Sequence, residues 1–236
     1  MHSIRIKITA ITIAAILTSI LAVFFASNLT IRADSDRSSV EIMNLIGQNT
    51  QKTLEKNLES IKQSVEMAAN IAGDALDSVM LVKCGVTGAT SRTPEQVQTL
   101  DAYLADYSER VQGAFASVAA HTHGCISYYY CICPEVSQNE HGFFYSRVGK
   151  TGFYEREPLD ARQLDPDDTE YNAWYYTPIQ QGRPSWIGPY RAHLLGELWT
   201  YSYIVPIYKA GALIGLLGMD IPFEAIVEQV SAIRFY

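Results

Sequence analysis

Leu198-Trp-Thr-Tyr-Ser-Tyr-Ile-Val-Pro-Ile-Tyr208, then Lys209-Ala-Gly211, then Ala212-Leu-Ile-Gly-Leu-Leu-Gly-Met-Asp-Ile221 is the stretch on which the fold turns. Two runs of aromatic and β-branched residues flank a link of three, so they predict two strands paired antiparallel through a tight turn. Toward the N-terminus the same texture continues. Ser185-Trp-Ile-Gly-Pro-Tyr190 reads as a strand, and Trp174-Tyr-Tyr-Thr-Pro178 ends a short helix or turn after a polar stretch from Glu155 to Glu170. Ile126-Ser-Tyr-Tyr-Tyr-Cys-Ile-Cys133, stopped by Pro134, and Gly142-Phe-Phe-Tyr-Ser-Arg-Val148 read as one more hairpin. The expectation is a roughly five-stranded antiparallel sheet.

Upstream of His121-Thr-His-Gly124 the apolar period lengthens to that of helices. Thr93-Pro94-Glu95-Gln96 opens a helix with proline in its first turn, and Val97, Leu100, Leu104, Tyr107, Val111 and Phe115 mark its apolar face. A break at Cys84-Gly85 separates it from a longer helix predicted over 34–83. There Ile42, Leu45, Ile46, Leu54, Leu58, Ile61, Val65, Ala69, Ala72, Leu76 and Val79 recur at three- and four-residue steps, opposite Lys52, Glu55, Lys56, Glu59, Lys62 and Glu66. Such a helix can pack on its own domain or pair with the same helix of a second copy. Helices first and sheet second make an α+β arrangement.

From Ile8 to Ile31 no residue is charged, which is long enough to cross roughly 30 Å of hydrocarbon as a helix. Arg5 and Lys7 precede this run, so residues 1–7 are expected in the cytoplasm and everything after Arg32 outside. A cleaved signal peptide is the alternative; its apolar core is usually shorter, about 7–15 residues. Hydrophobic residues at 48% against 18% charged exclude a disordered chain. The net charge of −7 argues against nucleic acid, whose phosphates need a basic face. The 15 tyrosines suit half-exposed strands or a small-molecule pocket.

Trp174-Tyr175, Trp186-Ile-Gly-Pro-Tyr190, Tyr201-Ser-Tyr-Ile-Val-Pro206 and Gly215-Leu-Leu-Gly-Met-Asp-Ile221 together resemble the double Cache sensor family of bacterial receptors, in that family's order and spacing. The resemblance extends from about Ile8 to Tyr236. It implies a PAS-like, membrane-distal ligand-binding module over 84–230, with 231–236 beginning a membrane-proximal module. A second membrane helix and a cytoplasmic output domain are expected beyond. Some members bind amino acids through an Arg-x-Trp-Tyr cluster, a pocket Tyr and an Asp. Trp174, Tyr175, Tyr190 and Asp220 match those positions, while Asn172 stands at the Arg position and lacks its planar two-donor clamp for a carboxylate. The preceding Tyr of the pattern falls near Asp167, with Tyr171 and Tyr154 close by. Tyr128 and Tyr201 complete the candidate ligand-binding set.

The residues argue for the same pocket independently. A carboxylate at the end of an apolar strand must be solvated, paired or matched by a ligand cation, and the aromatic rings offer cation–π contact to an ammonium. Asp220 could instead cap a helix beginning at Pro222. His121, His123 and Cys125 with Cys131 or Cys133 match no strong zinc pattern and read as a turn before a strand. Cys84 could join one of the hairpin cysteines in a disulfide. Asp165-Pro-Asp-Asp-Thr-Glu170 lacks the glycine of a calcium loop and reads as solvated and acidic. Phosphate-loop, nucleophile-elbow and His-Glu-x-x-His motifs do not occur. The expectation is therefore an extracytoplasmic sensing domain of a membrane-bound receptor, whether histidine kinase, diguanylate cyclase or chemoreceptor. Its ligand would be small and polar, amine-bearing or amino-acid-like. No cofactor is expected; a homodimer through the long helix is. The alternatives are an anchored module that docks another protein, or a hydrolase using Asp220 with His193 or His141.

Overall fold

The computed structural model describes residues 18–19, 47–87, 91–139, 141–168 and 171–231. Thr53–Ser231 form one compact unit, and Met1–Lys52 with Ala232–Tyr236 a second, of which 18–19 and 47–52 are described and helical. The predicted span over 8–31 lies outside the described residues save 18–19, as do 34–46 and 232–236. No described helix is long and apolar enough to cross a membrane.

Helix α1 runs over 47–75 and buries Ile61, Val65, Ala68, Ala69 and Ala72, the stripe expected from a 3.6-residue period. The single helix expected to residue 83 is interrupted at Leu76-Asp77. The Asp77 carboxylate accepts from the backbone N–H of Val79 at 2.8 Å and of Met80 at 3.2 Å, capping a separate α2, Ser78–Lys83. A short acidic side chain that binds the amides ahead of it starts a helix in preference to continuing one. Helix α3, Pro94–His121, begins with a reciprocal box in which Thr93 accepts from Gln96 N–H and Gln96 accepts from Thr93 N–H.

Among the described residues the sheet has six strands, one more than expected: β1 Ser127–Ile132, β2 Gly142–Ser146, β3 Tyr154–Arg156, β4 Ser185–Ala192, β5 Leu198–Lys209 and β6 Ala212–Pro222, in the order β3-β2-β1-β6-β5-β4. All pairs are antiparallel, including the β5–β6 hairpin. The additional strand, β3, is a three-residue edge whose Glu155 and Arg156 look like loop in sequence; charged, short edges discourage further pairing. Helix α4, Ala173–Gln181, precedes β4, and α5, Phe223–Ser231, follows β6.

The sheet is covered on both faces, so β6 reads as a continuous apolar run. Against one face lie α1, α2 and α3, packed on Tyr128, Tyr130, Tyr203, Leu217 and Met219. On the other, Tyr129, Phe144, Tyr190, Ile204 and Leu216 pack against Trp174 and Tyr175 of α4. A Cβ on Gly218 of β6 would stand 2.7 Å from the Tyr129 hydroxyl, so glycine there lets the Tyr129 ring lie across the strand. All four cysteines are buried free thiols; the Cys84 disulfide considered above is not formed.

Candidate functional site

Period-two alternation places Ser127 and Tyr129 of β1, Ser202 of β5 and Asp220 of β6 on the same face of the sheet, and the register sets both Ser127 and Ser202 directly opposite Asp220. Asp220 is 3% exposed. Its carboxylate accepts from Ser202 Oγ at 2.5 Å and from Ser127 Oγ, and Ser202 Oγ in turn meets Tyr190 Oη at 2.9 Å. Because the Ser202 proton goes to Asp220, Tyr190 donates to Ser202. The carboxylate thus turns into the sheet face and does not cap α5.

Burial pushes the Asp220 carboxyl up from 3.8 to about 6, against the opposing pull of Ser127, Ser202 and Tyr190. Among the described residues no cation offsets it. A buried carboxylate held by hydroxyls alone is expensive, so it is a place where a ligand cation gains most. The Tyr129 hydroxyl, on a residue 2% exposed and near Asp220, Tyr190 and Ser202, has no partner at hydrogen-bonding geometry.

Asp220, Tyr129 and Tyr190 floor a cavity of ≈ 500 Å³ between the sheet, α4 and the chain on either side of it. Trp174 stands edge-on to Tyr129 with ring centroids 5.5 Å apart and forms one wall. At the mouth Tyr171 stacks on His193, centroids 3.9 Å apart, and the His193 ring bonds to Glu197. Asn172 lines the cavity, but its amide donates to the Asp165 carbonyl at 2.9 Å and braces the preceding loop.

Of the expected set, Trp174, Tyr190, Asp220 and Asn172 therefore come together around one cavity. Tyr175, buried on α4, does not line the cavity; its ring meets those of Trp174 and Tyr176 edge-on. Tyr128 and Tyr201, also in the expected set, do not line this cavity. Each is one residue out of phase with the site: Tyr128 packs on Phe115, Phe143 and Phe153 on the helical face, and Tyr201 stacks on Trp186. Tyr154 lies outside the cavity, bonded to Val148 and Arg156, whereas Tyr171 enters it. Sequence reasoning did not single out Ser127, Ser202 or Tyr129, because only strand register shows which residues share a face with Asp220; Glu157, in the loop after β3, also lines the cavity.

No hydrogen bond joins Asp220 to either histidine. His141 is in a separate groove, 3.0 Å from Asp101, and His193 turns to Glu197. His121 bonds the Ser117 carbonyl and Cys125 the Ser127 carbonyl. Among the described residues no group of three or more His, Cys, Asp or Glu is placed to hold a metal.

Residues 100–228 match the family described as methyl-accepting chemotaxis protein-like, first PDC sensor domain. Among curated proteins none matches the sequence. Solved structures similar to the chain include the sensory domain of the Campylobacter jejuni chemoreceptor Tlp3 (CcmL), at 17% identity over 82% of this chain and 64% of that one, with a TM-score of 0.48. The Tlp3 ligand-binding domain in complex with 4-methylisoleucine matches at 17% identity, 82% and 62% coverage and a TM-score of 0.49. The ligand-binding domain of the Pseudomonas aeruginosa PAO1 amino acid chemoreceptor PctC in complex with GABA matches at 16%, 81% and 67%, and 0.41. The chain spans about 64% of the length of the first of these.

Proposed function

Because this chain belongs to the family of methyl-accepting chemotaxis protein-like first PDC sensor domains, we propose that the cavity over Asp220 is its ligand site and that the ligand is a small polar metabolite bearing an amine. The observation that carries this reading is a buried carboxylate, held by hydroxyls and without a cation among the described residues, at the floor of an aromatic-walled cavity. An ammonium entering there gains a charge-assisted bond to Asp220 and cation–π contact with Trp174 and Tyr190. A protein-docking module would present an open aromatic groove; here the rings line a cavity.

In this reading the domain lies outside the cytoplasm, held by the apolar run over 8–31, with the N-terminus inside and an output domain beyond the sensing module. Met67 and Ile71 of α1, 56% and 40% exposed, supply an apolar surface for pairing with a second copy. Ser202, which holds Asp220, is adjacent on β5 to Tyr203, whose hydroxyl donates to Glu66 of α1 at 2.7 Å. Lys209 Nζ reaches the Gly73 carbonyl at 2.7 Å. Ligand occupancy acts on α1 through these bonds to the extent that the ligand prefers one arrangement of them.

Calorimetric titration of the full chain with amines, amino acids and small carboxylates tests the reading. An amine-bearing compound binds, and Asp220→Ala and Trp174→Ala each weaken it at least tenfold. A bound ligand indifferent to both substitutions places the site elsewhere.

A further inference from the structure

The charges around the cavity are not balanced, and the imbalance has a direction. Besides Asp220, two carboxylates line it, Asp160 and Glu157. Asp160 is engaged: Arg162 Nε lies 2.7 Å from it and Gln163 Nε2 2.9 Å, and the Arg162 bonds, chief among these causes, hold its carboxyl down at about 2. Glu157 is different. It is exposed at the mouth, and among the described residues no hydrogen bond or ion pair is formed by its carboxylate.

The cationic side is already committed. Arg191 lines the cavity, but its guanidinium lies over the Trp199 ring, 5.7 Å from the centroid, and 4.0 Å from Glu197. His193 bonds the same Glu197. The Asn172 amide, which also lines the cavity, is spent on the Asp165 carbonyl. Among the described residues that line the cavity, a ligand carboxylate would therefore find no cation without a protein partner, and two carboxylates, Asp220 and Glu157, that no cation offsets.

We propose that the ligand of this cavity is an α,ω-diamine, one ammonium bound at the floor by Asp220 and the other at the mouth by Glu157. This rests on the binding role given to Asp220 above and specifies the ligand's other end. The Tyr129 hydroxyl supplies the independent sign of an absent group: it is buried, unpartnered and lines the cavity, and a primary ammonium carries three N–H donors, of which Asp220 takes one and Tyr129 Oη another. Trp174 and Phe144 offer apolar walls to the methylene chain between the two charges.

The test is calorimetric titration of the full chain with 1,4-diaminobutane, 1,5-diaminopentane, 1-aminobutane and 4-aminobutanoate, repeated on Glu157→Gln and Asp220→Asn. The expected result is a diamine Kd at least tenfold below that of 1-aminobutane, with 4-aminobutanoate weakest. Glu157→Gln closes the gap between diamine and monoamine without changing the monoamine, and Asp220→Asn weakens both. Equal affinity for diamine and monoamine, a tighter 4-aminobutanoate, or a diamine preference that survives Glu157→Gln overturns the diamine assignment and leaves the amine site standing. Binding indifferent to Asp220→Asn, or no binding by any amine, overturns the site itself. Glu157 is exposed, so its variant folds; equal melting temperatures for it and the wild-type chain verify this.

Discussion

Asp220→Asn keeps the shape of the side chain and removes its charge, and the expected result is a protein that melts higher at neutral pH and binds an amine ligand more weakly. The carboxyl is 3% exposed, and burial raises it from 3.8 to about 6. In the unfolded chain the group ionises near its ordinary value, so between roughly pH 4 and pH 6 the folded state holds the more protons. Stability therefore falls as pH rises through that window. Above it the penalty levels off at about 3 kcal/mol, the free energy of a displacement of this size. Asparagine, like the protonated acid, does not incur it, and the hydroxyls of Ser127 and Ser202 can reorient to accept from its amide. At about 2–4 °C per kcal/mol for a unit of this size, the variant melts roughly 6 to 12 °C higher at pH 7.5, as an upper bound. The difference vanishes near pH 4. Circular-dichroism melts of both proteins without ligand, from pH 4 to pH 8, measure it. Parallel curves over the whole range, or a lower melting temperature for the variant at pH 7.5, would refute the claim that Asp220 is kept buried and ionised at a cost to the fold.

Trp174→Ala opens a cavity beside Tyr129 and should cost about 3 kcal/mol in urea unfolding. It also weakens the ligand at least tenfold; a stability loss with unchanged affinity would remove Trp174 from the site. Tyr128→Phe and Tyr201→Phe, both away from the cavity, leave the ligand Kd within about twofold by calorimetry, and a larger loss in either would mean that the register does not separate the two faces as described. Gly218→Ala drives a methyl group to 2.7 Å from the Tyr129 hydroxyl, so Tyr129 must leave its position across β6. Ligand affinity falls at least tenfold and the protein melts several degrees lower, a combination that an unchanged Kd would contradict.

The elements were largely legible because each carries a local signature. Thr93, Pro94 and Gln96 announce α3 before its apolar stripe begins, and Lys209-Ala-Gly211 joins two β-rich runs too closely for anything but an antiparallel pair. Misreadings arose where a single residue outweighed the period. Asp77 ends α1 although Leu76 and Val79 continue its apolar spacing, and Glu155 hides a strand of three residues. The site was legible only in part, for a reason that Tyr128-Tyr129-Tyr130 makes plain. Alternation says that the middle tyrosine faces away from its neighbours, but three identical side chains do not say which face is which. The answer lies in long-range register: Ser127 and Ser202 both stand opposite Asp220, from strands 75 positions apart, the difference between 202 and 127. Asp220 itself was the one strong local signal, the only charged residue in the otherwise apolar β6. A central strand buried on both faces tolerates a carboxylate only where neighbouring strands bring hydroxyls to it, and the energy of burying that charge is recovered when a cation arrives. Tyr129 and Trp174 follow from Asp220 by position, since Gly218 two residues before it leaves the opening across which the Tyr129 ring lies and against which Trp174 packs.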